Sequence, residues 1–229
     1  MNTLCIIPAR GGSKRIPRKN LRLFRGIPII EWSIRAALNS NCFNDIMLST
    51  DDEEIAALGQ SLDVWVPFLR YRKTATDHAT TAEVLIETLT RLEKLEKHYH
   101  AVCCLYPTAP FTTASDLQIG LAKLNAGDFE VVLPITRFQY PIWRSLRLHE
   151  DSRVEMNWVE NRDARSQDLP EAYHDAGQWC WFRPEALFKH GSLIGPSMGS
   201  IILPAERVQD IDNEDDWRVA EWKHERIFK

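Results

Sequence analysis

What this sequence lacks narrows its identity quickly. No apolar run approaches the ~20 residues that a helix needs to cross a bilayer, and no signal peptide is read ahead of Leu4, so a cytoplasmic protein is expected. Its five cysteines (Cys5, Cys42, Cys103, Cys104 and Cys180) include no C-x-x-C pair. An odd set of this kind, lying largely in apolar runs, reads as small core residues in a reducing compartment. It argues against a disulfide framework or a structural zinc site. Cations are in deficit: 28 Lys and Arg stand against 32 Asp and Glu, a formal net charge of -4. That balance argues against a general binder of nucleic acid or membrane surfaces. Neither G-x-x-x-x-G-K-[ST] nor G-x-G-x-x-G occurs, which removes the Walker A loop and the dinucleotide fingerprint. The spacing of Ser, His, Cys and Asp supports no nucleophilic triad or dyad.

What is present is an ordinary globular composition, 44% hydrophobic and 26% charged. A chain of 229 residues suits a single domain, 1–229, that buries roughly 70–75% of its unfolded surface. Short β-rich runs at 3–8, 45–50, 63–68, 101–107, 130–136 and 199–204 alternate with stretches of helical period. In "PIIEWSIRAALNS", Ile30, Ser33, Ile34, Ala37 and Leu38 share one face. In "TTAEVLIETLTRLEKLEK", Val84, Leu85, Thr88, Leu89, Leu92 and Leu95 do so, with Thr80 or Thr81 as the cap and Glu83 in the first turn. "TDDEEIAALG" begins on a cap of its own. Strands alternating with helices predict an α/β fold, a three-layer Rossmann-like and mostly parallel sheet with right-handed crossovers. Ligands then bind beyond the carboxyl ends of the strands. The rhythm breaks over 137–170, a polar, aromatic excursion with a possible hairpin around 146–158. That excursion covers a site, pairs with another subunit, or does both. The aromatic run 172–182 reads first as a core strand and second as a sugar platform.

Against the acidic background, "ARGGSKRIPRKN" gathers Arg10, Lys14, Arg15, Arg18 and Lys19 within ten residues, directly behind the first strand. Gly11 and Gly12 allow the backbone to approach a ligand or to take positive φ. Consecutive amides with Arg and Lys nearby suit a phosphate cluster; the plainer alternative is a solvated basic turn. Nucleic acid is disfavoured because no aromatic residues interleave with the cations. Near the end, "QDIDNEDDW" sets Asp210 and Asp212 two apart, on one side of an extended segment, a pattern suited to a hard divalent cation. Asp212 could equally cap the helix that follows, with Glu214, Asp215 and Asp216 in its first turn.

Together these segments resemble the acylneuraminate cytidylyltransferases over essentially the whole chain. "IPARGGSKRIPRKNL" is similar to that family's nucleotide-binding signature, "FLRYRKTATDHATT" to the segment near the cytosine, "LYPTAPF" to its P-T-S-P-L-R motif, "RSQDLPEAYHDAG" to its R-Q-x-x-P…N-G region and "DIDNEDD" to its D-I-D. The resemblance implies that Arg10, Ser13 and Lys19 hold the triphosphate of CTP within the stretch that also holds Ala9, Gly11 and Gly12. Asn20 and Arg70 would lie near the nucleoside, with Ala79 and Thr81 beside it. Asp210 and Asp212 would handle Mg²⁺, and Arg10, Lys19 and Asp212 would form the catalytic set. Tyr106, Arg144, Arg165 and Tyr173 would belong to the sugar side. A homodimer is implied, with the 137–170 excursion reaching the partner's site.

The departures from the family all fall on the acceptor side. Tyr106 stands where the neuraminate enzymes have Gln, Phe111-Thr112 where they have Leu-Arg, and Ala176-Gly177 where they have Asn-Gly. This pattern resembles the branch that activates pseudaminic acid for flagellin or surface glycans. The implied reaction is attack of a nonulosonic acid's anomeric hydroxyl on the α-phosphorus of CTP, with loss of pyrophosphate. Alternatives are another sialic-acid-like acceptor (N-acetylneuraminic or legionaminic acid), Kdo or a sugar 1-phosphate, and a non-catalytic nucleotide-binding regulatory module.

Overall fold

Every residue from Thr3 to Ile7 is buried, as in a strand covered on both faces, and this segment (β1, Thr3–Pro8) is central to the fold. The computed structural model describes residues 2–228. After β1 come a minimal hairpin (β2, Leu23–Phe24; β3, Ile27–Pro28), α1 (Ile29–Ser40), β4 (Asp45–Ser49), α2 (Glu53–Ser61), α3 (Thr81–Glu93), β5 (Ala101–Leu105), α4 (Ala114–Ala126) and β6 (Val131–Arg137). The second half holds β7 (Leu146–Leu148), β8 (Val154–Met156), β9 (Tyr173–Asp175), β10 (Trp179–Phe182), α5 (Pro184–His190), β11 (Met198–Ile202) and α6 (Glu214–Ile227).

The main sheet runs β11-β6-β10-β5-β1-β4. Strand β1 is parallel to β4 and β5, and β11 is parallel to β6, while β10 is antiparallel to both its neighbours. The predicted α/β sheet is therefore present, with β10 reversed inside it and β9 also antiparallel to β6. Side chains alternate across β1: Cys5 and Ile7 pack with Ile30 and Ile34 of α1, Ile55 of α2 and Leu117 of α4 on one face. Leu4 and Ile6 pack with Leu85 and Leu89 of α3 and Leu187 of α5 on the other. These are the three layers. The cysteines follow the same alternation. Cys5 lies opposite Cys103 in the β1–β5 register and Cys104 opposite Cys180 in the β5–β10 register; all five thiols are free.

Several local expectations need correction. Residues 63–68 form no strand and pair with the sheet through an isolated bridge alone, Met47 to Trp65. Leu38 and Leu95 are 40% and 52% exposed; α1 buries Ala36 in place of Leu38, and α3 ends at Glu93, before Leu95. Helix α3 is capped by Thr80 with Glu83 reciprocating, and α2 by Asp52. Asp212 is not a cap. Asn213 caps α6, and Asp216 returns the bond to the cap backbone. The aromatic run 172–182 divides into β9 and β10, which follow the same side of β6 and are separated by a kink at Gly177. Gly177 has φ +65°, a conformation that glycine adopts without the steric cost other residues incur.

Candidate active site

The basic loop is placed by a small core of its own. Ile16 from the loop, Ile211 from the acidic segment and Trp217 and Ala220 from α6 are buried in one cluster with Phe24 and Phe111. Two segments nearly two hundred residues apart are thus clamped face to face. Arg22 reinforces the join, paired with Glu214 at 2.5 Å and lying 4.4 Å from the centroid of the Trp217 ring.

Gly11 donates its N–H to Asp51 at 3.0 Å, and a Cβ at this position would collide with the Asp52 side chain. Close packing against the start of α2, and not positive φ, is why glycine stands there; neither Gly11 nor Gly12 has a positive φ, whereas Arg18 does. Arg18 turns away from the loop's front to pair with Asp52 and Glu54. Its pKa is raised, first by the hydrogen bond to Asp52.

The other cations of the loop face a cavity of about 640 Å³. Arg10, Lys14, Arg15 and Lys19 line it together with Gly12, Ser13 and Asn20, while Arg70, Ala79, Thr81 and Tyr106 come from later segments and Asp212 closes the opposite wall. Ala9 is fully buried behind it and donates to the Ser49 carbonyl at 2.9 Å. The Asn20 amide donates to the Arg10 carbonyl at 2.9 Å, bracing the loop. Arg15 holds Asp212 through two hydrogen bonds of 2.8 and 2.9 Å. Lys19 donates to the Ile211 carbonyl at 2.5 Å and lies 3.8 Å from Asp212. Burial lowers the Lys19 pKa, with Asp212 opposing. Arg70 is 9% exposed and is held by the Ser49 carbonyl at 2.5 Å; burial lowers its pKa too. A buried cation satisfied mainly by carbonyl oxygens retains its charge for an anionic ligand. Asp210 is exposed beside this wall and does not line the cavity.

A second cavity, about 290 Å³, adjoins the first and shares Thr81 and Tyr106 with it. Its other walls are Ala82, Leu133, Cys180, Leu193 and Ile194, with Thr80, Asp175 and Ser192 as polar points. Asp175 at the end of β9 and Cys180 of β10 both face it. Burial raises the Tyr106 hydroxyl's pKa well above the ordinary phenol value. The remaining residues assigned by resemblance lie elsewhere. Arg144 is exposed on a short turn, Arg165 pairs with Asp168 at 2.8 Å, and the Tyr173 hydroxyl donates to Glu171 at 2.6 Å. None of the three lines either cavity of the single chain.

Sequence reasoning assigned no site role to Asp77, which pairs with both Arg10 and Lys14, or to Asp175 and the 192–194 loop. The segment around Asp77 is read from the sequence as one near the cytosine that ends in a helix cap, with no role for Asp77 itself, and nothing local marks Asp175 as facing a cavity.

The family model described as cytidylyltransferase matches residues 4–175. The chain is 39% identical over 220 residues to pseudaminic acid cytidylyltransferase of Campylobacter jejuni subsp. jejuni serotype O:2, covering 96% of this chain and 95% of that one. It is 40% identical over 238 aligned positions to CMP-N,N'-diacetyllegionaminic acid synthase of Legionella pneumophila, again covering 96% and 95%. Its fold is similar to that of CMP:2-keto-3-deoxy-manno-octonic acid synthetase complexed with CTP, with a TM-score of 0.73 over 99% of each chain and 14% identity.

Proposed function

The chain belongs to the cytidylyltransferase family, and from that membership we propose that it transfers the cytidylyl group of CTP to a nonulosonic acid, most specifically pseudaminic acid, with release of pyrophosphate. One observation carries the reading: a chain of net charge -4 turns Arg10, Lys14, Arg15, Lys19 and Arg70 toward a single cavity. Asp77 and Asp212, which also line the cavity, offset part of that charge, and the excess of positive charge suits a polyanion. CTP supplies that balance, and 39–40% identity to two enzymes named for CMP-sugar chemistry supports cytidine.

In the proposed reaction the acceptor's anomeric hydroxyl oxygen bonds to the α-phosphorus and gives up its proton to solvent, the bond from that phosphorus to the bridging oxygen breaks, and pyrophosphate departs. The protein contributes mainly position and charge. Arg10 and Lys19 oppose the charge that grows on the phosphate oxygens, Gly12 and Ser13 bring the loop backbone close to them, and Arg70, Ala79 and Thr81 border the nucleoside. Asp210 and Asp212 are the residues that would hold Mg²⁺. Two carboxylates on an extended segment, with Ile211 turned into the core between them, suit a hard cation. Among the described residues no cluster of three or more His, Cys, Asp or Glu side chains could hold a metal alone, so an ion held by these two carboxylates would need further oxygen donors from substrate and water. When bound, the ion orients and neutralises the triphosphate.

The second cavity serves the acceptor, with Tyr106 between the two substrates. Arg144, Arg165 and Tyr173 belong to the 137–170 excursion and its return, where Leu146, Leu148, Val154 and Val159 are exposed. In this reading the excursion packs on a second copy of the chain and brings those three residues toward the partner's acceptor. No helix among the described residues is long and apolar enough to cross a membrane, which accords with work in the cytoplasm, where CTP is made. The CMP-sugar then goes to glycosylation of flagellin or other surface glycans.

The test is pyrophosphate release from CTP and magnesium with pseudaminic, legionaminic, N-acetylneuraminic acid or Kdo as acceptor. Release with pseudaminic acid at the highest kcat/KM is expected. Folded protein that binds CTP and releases none with any acceptor is instead a nucleotide-binding module.

A further inference from the structure

Arg70 faces the first cavity from a segment with little regular structure of its own. Residues 68–80 hold a single turn of 3-10 helix, Arg72–Thr74, and no strand. The Arg70 guanidinium is aimed by three hydrogen bonds. Its Nε–H donates to the Ser49 hydroxyl at 3.3 Å, and its two NH₂ groups donate to the Ser49 carbonyl at 2.5 Å and the Thr74 carbonyl at 3.5 Å. With three of its five donors so engaged, two are left for the cavity that it lines. The direction of those two depends on where the 71–74 turn places the Thr74 carbonyl.

That turn is gripped from α3. The Glu87 carboxylate accepts the Tyr71 N–H at 3.1 Å through one oxygen and the Thr74 hydroxyl through the other. One helical turn further on, Arg91 donates to Glu87 at 3.3 Å and to the Leu69 carbonyl at 2.8 Å. Its guanidinium also lies 3.5 Å and 4.3 Å from the ring centroids of Phe68 and Tyr71. The Glu87 side chain is only 7% exposed, and a carboxylate buried to that degree is costly unless its oxygens are engaged. Packing α3 against the sheet would need only an apolar side chain, as at Val84 and Leu85. A carboxylate at this position instead holds a backbone N–H and a hydroxyl that belong to the cavity wall, where Thr74 stands beside Arg70.

We infer that Glu87 is a positioning residue for nucleotide binding: through Tyr71 and Thr74 it fixes the 71–74 turn, and the turn sets the direction in which Arg70 meets the ligand. Glu87 is not among the residues that line the cavity, so it acts through Arg70 and not on the nucleotide directly. The inference rests on the CTP reading above and deepens it, extending the nucleotide site to a helix behind its wall. Its consequence is a loss of nucleotide affinity without a matching loss in the chemical step.

The test is a double-mutant cycle between Glu87 and Arg70, read as the dissociation constant for CTP with magnesium by calorimetry and as KM and kcat in turnover. Glu87→Ala should weaken CTP binding about ten-fold, a size common within one hydrogen-bond network, and leave kcat and the acceptor KM within about two-fold. Glu87→Gln should bind CTP within about two-fold of the native protein. Its oxygen can still accept from Tyr71 and Arg91, and its NH₂ can donate to the Thr74 hydroxyl oxygen. Adding Glu87→Ala to Arg70→Ala should weaken binding by less than about two-fold more, because the group being aimed is gone. An equal loss in both backgrounds, an unchanged constant in Glu87→Ala, or a Glu87→Gln variant as weak as Glu87→Ala overturns the assignment. Should Glu87→Ala fail to fold, Thr74→Val removes the hydroxyl that Glu87 holds at nearly constant volume, and the same cycle with Arg70→Ala decides. If the native protein binds no CTP, the CTP reading and the assignment fail together; native binding with additive variants removes the assignment alone.

Discussion

The guanidinium of Arg10 meets the carboxylate of Asp77 at 2.5 Å, and Lys14 reaches the same carboxylate at 2.5 Å. Two cations that face the proposed triphosphate site are thus held by an anion of the protein itself. Asp77 is kept below the ordinary carboxylate pKa, first by its hydrogen bond to Lys14, so it remains charged at neutral pH. It must yield when phosphate binds. Asp77→Asn should therefore lower the KM for CTP about two- to five-fold at low ionic strength, a size suited to an exposed ion pair, and the gain should shrink as salt is added. Nucleotide titrations at two salt concentrations measure this. A raised KM would mean that Asp77 organises the cations instead of competing for them.

Arg10 and Arg18 belong to one loop but face opposite ways. Arg10 lines the cavity, while Arg18 pairs with Asp52 and Glu54 at the start of α2. Arg10→Ala is expected to lose on the order of 10²–10³ in kcat, as when one preorganised donor is deleted. Arg18→Ala should affect the KM for CTP and the melting temperature and leave kcat within a few-fold. Equal losses in kcat from both variants would remove the distinction.

Asp212 has Arg15 as its partner through two hydrogen bonds, and the helix cap that could have explained its presence is Asn213. Asp212→Asn should leave α6 folded and shift the magnesium dependence of turnover about ten-fold to higher concentration. A titration that coincides with the native curve would assign Asp212 to the Arg15 pair alone.

His224 on α6 lies among Phe24, Trp32, Phe111 and Phe228. It is 2% exposed, and neither ring nitrogen has a hydrogen-bond partner. Burial lowers its pKa to about 4, against about 6.5 in an unfolded chain. Between those values the unfolded state binds more protons than the native state, so stability rises with pH through this window and falls on acidification. The loss is complete below about pH 4, at about 3 kcal/mol. Melting curves from pH 7 to pH 4 should therefore fall less steeply for His224→Phe than for the native protein. Parallel curves would show that other groups carry the acid sensitivity.

Much of this was legible locally. Thr80 and Glu83 announced the start of α3, and the apolar run of β1 announced a strand buried on both faces. The basic loop stood out because five cations in an acidic chain are a charge anomaly at any level of structure. Leu38 departs from expectation because a helical period marks a face but not how far neighbouring elements cover it, and Leu95 because the apolar period runs on past the point where α3 ends. The short 63–68 run was apolar enough for a strand, yet it gained only one bridge to Met47.

The sequence alone therefore determined the alternating elements, the loop that concentrates positive charge behind the first strand, and the paired acids at 210 and 212. Those are properties of neighbours along the chain: period, capping and charge density. The tertiary structure decided what faces what. The shared burial of Ile16 and Ile211 brings the cations opposite Asp212, the fold of the 72–81 segment brings Asp77 onto Arg10, and the kink at Gly177 aligns Asp175 with Tyr106 and the 192–194 loop. Contacts of this kind depend on packing between segments far apart in the chain, and local composition carries no record of them.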